Sequence, residues 1–270
     1  MPKYQYTKIF EVDARGGLSK ETISKIPRLA TEGHTPTRSG RFTILTIEKH
    51  VSGGRWLFST IPWGTPMRID PDAVYIKLNN KWRKLSSMDP RWLASYKSSP
   101  KPELELRKMI LDYYKPMGAY FGNSTPDSWI FNDFGHVSVK YFRDSNRNGI
   151  FDKGKEEIIS DFIHTTPPDE AQTAYNNRNK QPDNIALSYS HGCIHVKPND
   201  IDKLISNGYA RKGIIIEIHP YSATLNAPVS FLSNDGSQPH ELHFFPMKSA
   251  DMNRVDGQGK LIVYKVSKLN

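Results

Sequence analysis

The sequence predicts a mainly β fold, a β-rich α+β arrangement, on three observations. Short runs of β-branched and aromatic residues recur from one end of the chain to the other, clusters of Gly, Pro, Asn and Asp bound them, and only two stretches carry a clear helical period. Three strands come first: YQYTKIFEV over 4–12, GRFTILTIEKHV over 40–51 and DAVYIKL over 72–78. PELELRKMILDYYK (102–115) then reads as a helix, because Leu104, Leu106, Met109, Ile110 and Tyr113 roughly follow helical spacing. HVSVKYF (136–142) and EIISDFIHT (157–165) are strands again. The clearest helix is PNDIDKLISNG, where Asn199 caps, Ile201, Leu204 and Ile205 share one face, and Gly208 supplies the stop. GIIIEIHPY (213–221), ELHFFPM (241–247) and GKLIVYKV (259–266) close the chain as strands, with the turn-prone DGQGK leading into the last.

With 37% hydrophobic and 24% charged residues, the 270-residue chain falls in the globular range and outside the disordered one. No run of about 18 apolar residues occurs, so no transmembrane segment is predicted. The start, MPKYQYTKIFEVDARGG, lacks the apolar centre of a secretory signal peptide. A net charge of +9 favours an anionic partner: nucleic acid, an acidic membrane surface or an acidic wall polymer. Lys and Arg are scattered, without a basic helix or an aromatic-interleaved strand, which argues against nucleic acid.

The chemistry concentrates in SYSHGCIHVKP (188–198), which holds Cys193, the single cysteine. One cysteine excludes an internal disulfide and leaves the redox compartment open. A lone cysteine is most often a small buried hydrophobe. Here His191, Gly192 and His195 surround it, and buried imidazoles need partners. A nucleophilic thiol needs a histidine, a cation or aligned N–H groups to reach the thiolate near pH 7. Gly192 allows close backbone approach, and the N–H groups of Gly192 and Cys193 are candidates for an oxyanion site. The third reading is a metal site of His191, Cys193 and His195, with His164 as fourth ligand. Strand alternation would set the first three along one line, a poor start for a tetrahedron.

A second motif is DSNRNGIFDKGKEE (144–157). Asp144, Asn146, Asn148, Gly149 and Asp152 fall at positions one, three, five, six and nine of a calcium loop. Position twelve is Lys155, with Glu156 one place late, and strands adjoin the loop where a helix pair belongs. A hairpin turning at Asn148-Gly149 is the competing reading.

The Ser190-His191-Gly192-Cys193 box, with His164 upstream in DFIHTTPP, resembles the signature of the YkuD-type L,D-transpeptidases. ATEGHTPTRSGRFTI is similar to the family's early Thr-Pro-x-Gly-x-Phe segment, through Thr35, Pro36, Gly40 and Phe42. PNDIDKLISNGYARKGIIIEI resembles its short helix and closing strand. The likeness runs in patches over about residues 23 to 220. Three features depart from the family: His195 stands where an arginine is common, His164-Thr165 replaces His-Gly, and about 80 residues between HVSGG and FNDFGH align poorly. The resemblance implies a β-sandwich catalytic domain over 1–220 with an insertion at about 52–128, and a C-terminal β extension over 221–270 packed on the same domain.

It also implies acyl transfer on peptidoglycan stem peptides, with no cofactor. Cys193 would form a thioester, His164 would act as base, and His191 and Gly192 would support the reaction. Ser190, His195 and Thr165 are the candidates for substrate contact, His195 being equally readable as a satisfied buried histidine. The acceptor would decide among cross-linking, carboxypeptidase trimming and D-amino-acid exchange. The expected site of action is the periplasm or cell envelope. Competing functions are a cysteine hydrolase of another substrate, a non-catalytic wall-binding module, and a secreted antibacterial effector with a cognate immunity protein.

Overall fold

A computed structural model describes residues 4–52, 54–122, 125–225, 239–247 and 256–268. The fold is a sheet-rich α+β arrangement, and the chain divides into two units. The first comprises Met1–Glu48, Ser138–His164 and Ala186–Asn270; the second comprises Lys49–Val137 and Thr165–Ile185.

The first unit is built on β1 (Tyr4–Arg15), β2 (Gly40–Glu48), β6 (Ser138–Phe142), β7 (Ile158–His164), β8 (Ile194–Val196), β9 (Ile215–Ile218), β10 (His240–Pro246) and β11 (Gln258–Lys268). Among the described residues these strands close into a barrel in the order β1-β11-β10-β9-β2-β6-β7-β8. The expected sandwich is therefore corrected to a barrel. The cause is β8, three residues long, which pairs in parallel with β7 and antiparallel with β1 and so removes both sheet edges. Register shifts at Lys8/Phe10, Ile44/Thr46 and Val139/Tyr141 supply the bends that closure requires.

The barrel interior follows from period-two alternation held in register around the sheet. Phe42 pairs Ile216, Ile216 pairs Leu242, and Leu242 pairs Val263, all essentially buried. β10 and β11 are strands of the barrel itself, β11 lying along the whole of β1. Of the stretch 221–270, residues 226–238, 248–255 and 269–270 lie outside the described residues.

Helices α1 (Lys20–Lys25) and α2 (Pro27–Thr31) lie between β1 and β2, and α5 (Pro198–Ser206) follows β8. α5 begins at Pro198, one residue before the expected Asn199 cap. Proline suits that first turn because its fixed φ is helical and its missing N–H would have had no helical partner. Pro198, Ile201 and Leu204 form its buried face, and Gly208 ends it with φ of 70°.

The second unit carries a three-stranded sheet, β3 (Met67–Ile69), β4 (Val74–Leu78) and β5 (Lys81–Lys84), with α3 (Pro102–Gly118) and α4 (Pro167–Arg178). Its core gathers Trp92, Leu106, Ile110, Trp129 and Phe131. It is wider than the stretch 52–128 and takes a second segment from 165–185.

Candidate active site

Cys193 sits immediately before β8, the strand that closes the barrel. Gly192 has φ of 124°, and a Cβ there would lie 2.7 Å from Thr35 Oγ1 and 3.2 Å from Asp161 Oδ1. Only glycine meets both the backbone conformation and the space. Ser190, 2% exposed, braces the loop from inside. Its hydroxyl donates to the Cys193 carbonyl at 2.5 Å and accepts from the Gly192 N–H at 3.0 Å. Thr35 donates its hydroxyl to the His191 carbonyl at 2.7 Å, while the His191 ring stacks on His34 with centroids 3.9 Å apart.

These contacts change two expectations. Ser190 holds the loop and does not present its hydroxyl to a substrate. The Gly192 N–H, expected to point at an oxyanion, is satisfied by Ser190, because a tight loop must first pair its own backbone groups.

Cys193 as a residue is half-buried, and its Sγ donates to the Ser160 carbonyl of β7 at 3.6 Å. Burial of the sulfur, reinforced by the Asp161 carboxylate, pushes the thiol up to about 12; the Phe162 N–H and the Arg38 guanidinium pull it the other way. At neutral pH the resting site therefore holds a thiol.

β7 alternates so that Ser160, Phe162 and His164 share one face. His164 pairs directly with His195 on β8, and the two buried rings meet edge-on with centroids 4.8 Å apart. Cys193 itself lies in the bend that leads into β8, two residues before His195, and its Sγ turns to the Ser160 carbonyl, four residues before His164 on β7. His195 Nδ1 donates to the Ser188 carbonyl at 2.8 Å, and burial holds its pKa down to about 4, so it is neutral and fixed. On its other side His195 pairs with Arg15 of β1, whose Nη1 donates to the Leu187 carbonyl at 2.7 Å. Arg15, His195 and His164 thus form a row across three strands.

Thr165 is not part of this arrangement. It belongs to the second unit, is fully buried, and donates its hydroxyl to the Glu170 carboxylate. The same carboxylate takes the His136 ring at 2.5 Å, so Thr165 is a packing residue rather than a substrate contact.

Sequence reading missed Asp161, Arg38 and Tyr221. Asp161 accepts from the Arg38 N–H at 2.9 Å and from its Nε at 3.2 Å, which ties β7 to the TPTRSGRF segment. Tyr221 donates to the Gly17 carbonyl at 2.7 Å and accepts from the Thr37 N–H at 3.1 Å. Arg38 and Tyr221, with Thr35, Ser160 and Asp161, line a cleft of about 950 Å³ alongside the thiol. The only sequence signal was TPTRSGRF itself, whose Arg38 carried no assigned role.

The 144–157 loop turns its oxygens on itself. Asp144 accepts from the Asn148 and Gly149 N–H groups, Asn146 and Asn148 each accept an N–H two residues on, and Asn146 donates to Asp152 at 2.8 Å. Glu156 accepts from the Ser145 and Asp152 N–H groups. Among the described residues no group of three or more His, Cys, Asp or Glu is arranged to hold a metal ion. His191, Cys193 and His195 point to three different partners and do not converge.

No protein-family model matches the chain, and neither does any curated protein or solved structure.

Proposed function

We propose that the chain is a cysteine acyltransferase of the L,D-transpeptidase kind, acting on peptidoglycan stem peptides in the periplasm or cell envelope. The observation that carries this reading is the thiol on a glycine-pinned loop beside an open cleft, at the start of the strand that pairs with the one carrying the buried His164. The Ser-His-Gly-Cys box and its upstream histidine support the choice of substrate.

In this reading His164 takes the Cys193 proton as sulfur attacks the carbonyl that joins the third residue to the terminal D-alanine. The Cys193 N–H, not the Gly192 N–H, stabilises the oxyanion. Collapse passes the proton from His164 to the leaving amine, frees D-alanine and leaves a thioester. An amine acceptor then yields a cross-link, water a trimmed tripeptide, and a free D-amino acid an exchanged stem. His195, neutral and anchored, packs on the base and positions it.

The test is release of D-alanine from tetrapeptide muropeptides. Cys193→Ala and His164→Ala each lower it by roughly a thousandfold or more. Undiminished release by Cys193→Ala contradicts the mechanism.

A further inference from the structure

Three cations line the cleft beside Cys193: Arg38, Arg143 and Lys20. Arg38 is already matched. Its Nε lies 3.2 Å from Asp161, its Nη1 3.1 Å from Glu157, and its Nη2 2.8 Å from the Ser160 hydroxyl. Arg143 differs. It follows β6 directly, is exposed, and lays its guanidinium over the buried Phe42 ring, 5.3 Å from the centroid. Among the described residues no carboxylate pairs with it. Lys20, the first residue of α1, also has no carboxylate partner among the described residues, since the neighbouring Glu21 reaches Lys25 at 2.8 Å.

A guanidinium seated on an aromatic ring keeps its plane fixed and its N–H fork open, which is the geometry that grips a carboxylate at two points. We infer that Arg143, assisted by Lys20, forms a carboxylate subsite of this cleft and selects acyl donors that carry a free carboxylate near the scissile bond. The inference rests on the acyl-transfer reading for the identity of the peptide. Next to the scissile bond a stem tetrapeptide has two carboxylates: the terminal one on D-alanine, and the side-chain one of a diamino-diacid third residue. Amidating one at a time separates them.

Binding is measured by calorimetry on the full chain carrying Cys193→Ala, so that no turnover intervenes. The probes are the acid tetrapeptide, its two mono-amidated forms and its doubly amidated form. Arg143→Gln weakens the acid peptide by roughly tenfold or more, and Arg143→Lys keeps part of the affinity. Lys20→Gln has a smaller effect. Amidating the recognised carboxylate reproduces the loss, and Arg143→Gln adds nothing further with that peptide. Affinity for the acid form falls with added salt. Equal affinity of Arg143→Gln and its parent for the acid peptide overturns the subsite. So does tight binding of the doubly amidated peptide, or no binding of the acid form at millimolar concentration. The peptide series needs no change at position 143, so it stands even where a variant folds poorly. If the unmodified chain releases no D-alanine yet Arg143-dependent carboxylate binding persists, the acyl-transfer reading fails and the subsite holds. The opposite pattern removes the subsite alone.

Discussion

Asp161 bears directly on the Cys193 thiol. It is buried, its carboxylate lies against the Gly192 position, and it raises the Cys193 thiol alongside desolvation. Asp161→Asn removes that charge while keeping the side-chain shape, so the thiol titrates below about 12 and the thiolate fraction at pH 8 rises. Iodoacetamide at pH 8 should then alkylate Cys193 faster than in the parent; an unchanged or slower rate counts against the assignment. Gly192→Ala combines a left-handed φ with a 2.7 Å approach to Thr35 Oγ1, and thermal unfolding should register a loss of about 1–3 kcal/mol. At this scale the glycine at 192 was legible, because its place in a tight loop beside Cys193 is carried by residue type and short spacing. Asp161 was not. It reads as one polar residue in an alternating strand, and its partner Arg38 lies 123 positions away. Ser190 and Thr165 were legible as polar but not as structural, because only the fold shows where their hydroxyls go.

Among the elements, β8 carries the most consequence for its length. Three residues close the barrel directly after Cys193, and Ile194, paired with Ile163 of β7, and Val196 are fully buried. Ile194→Ala should cost about 2–5 kcal/mol by denaturant titration, and it should depress D-alanine release even where the protein remains folded. Full release from the folded variant would separate the nucleophile from the strand. Strands with ordinary alternation were readable along the whole chain, as were α3 and α5, whose apolar faces repeat at helical spacing. α4 was missed for a physical reason. Ala171 is its one buried apolar side chain besides Pro167, the rest of its buried face being Asp169, Thr173 and Asn176. Its sequence signals sit at its ends: Thr166, which caps the Asp169 N–H, the prolines and acids of its first turn, and Arg178 in its last.

For the whole molecule, closure of the barrel was not legible, since it depends on a strand shorter than any period that alternation can reveal and on a parallel pairing of β9 with β10. The barrel also buries ionisable groups that the unfolded chain exposes. Burial lowers His195 to about 4, and burial with the neighbouring His243 lowers His219 to about 3. Unfolded, both titrate near 6.5. Above that pH the two states bind equal protons and nothing is lost. As pH falls below it the unfolded chain binds protons that the fold refuses, and stability drops until the folded values are reached. Asp169 acts in the opposite sense, since burial raises its carboxyl to about 6 and below that pH the fold binds a proton that the unfolded chain does not. The unfolding free energy from urea titration should therefore lose less between pH 7 and pH 4 in His219→Gln than in the parent; an equal change in both argues against a neutral buried His219. The central claim, a thioester on Cys193, is tested most directly by mass mapping after acid quench of the unmodified chain with a stem tetrapeptide. The account predicts a tripeptide acyl group on the peptide that contains Cys193, formed with release of one D-alanine. D-alanine released while Cys193 stays unmodified, or an acyl group found on a different residue, would contradict it.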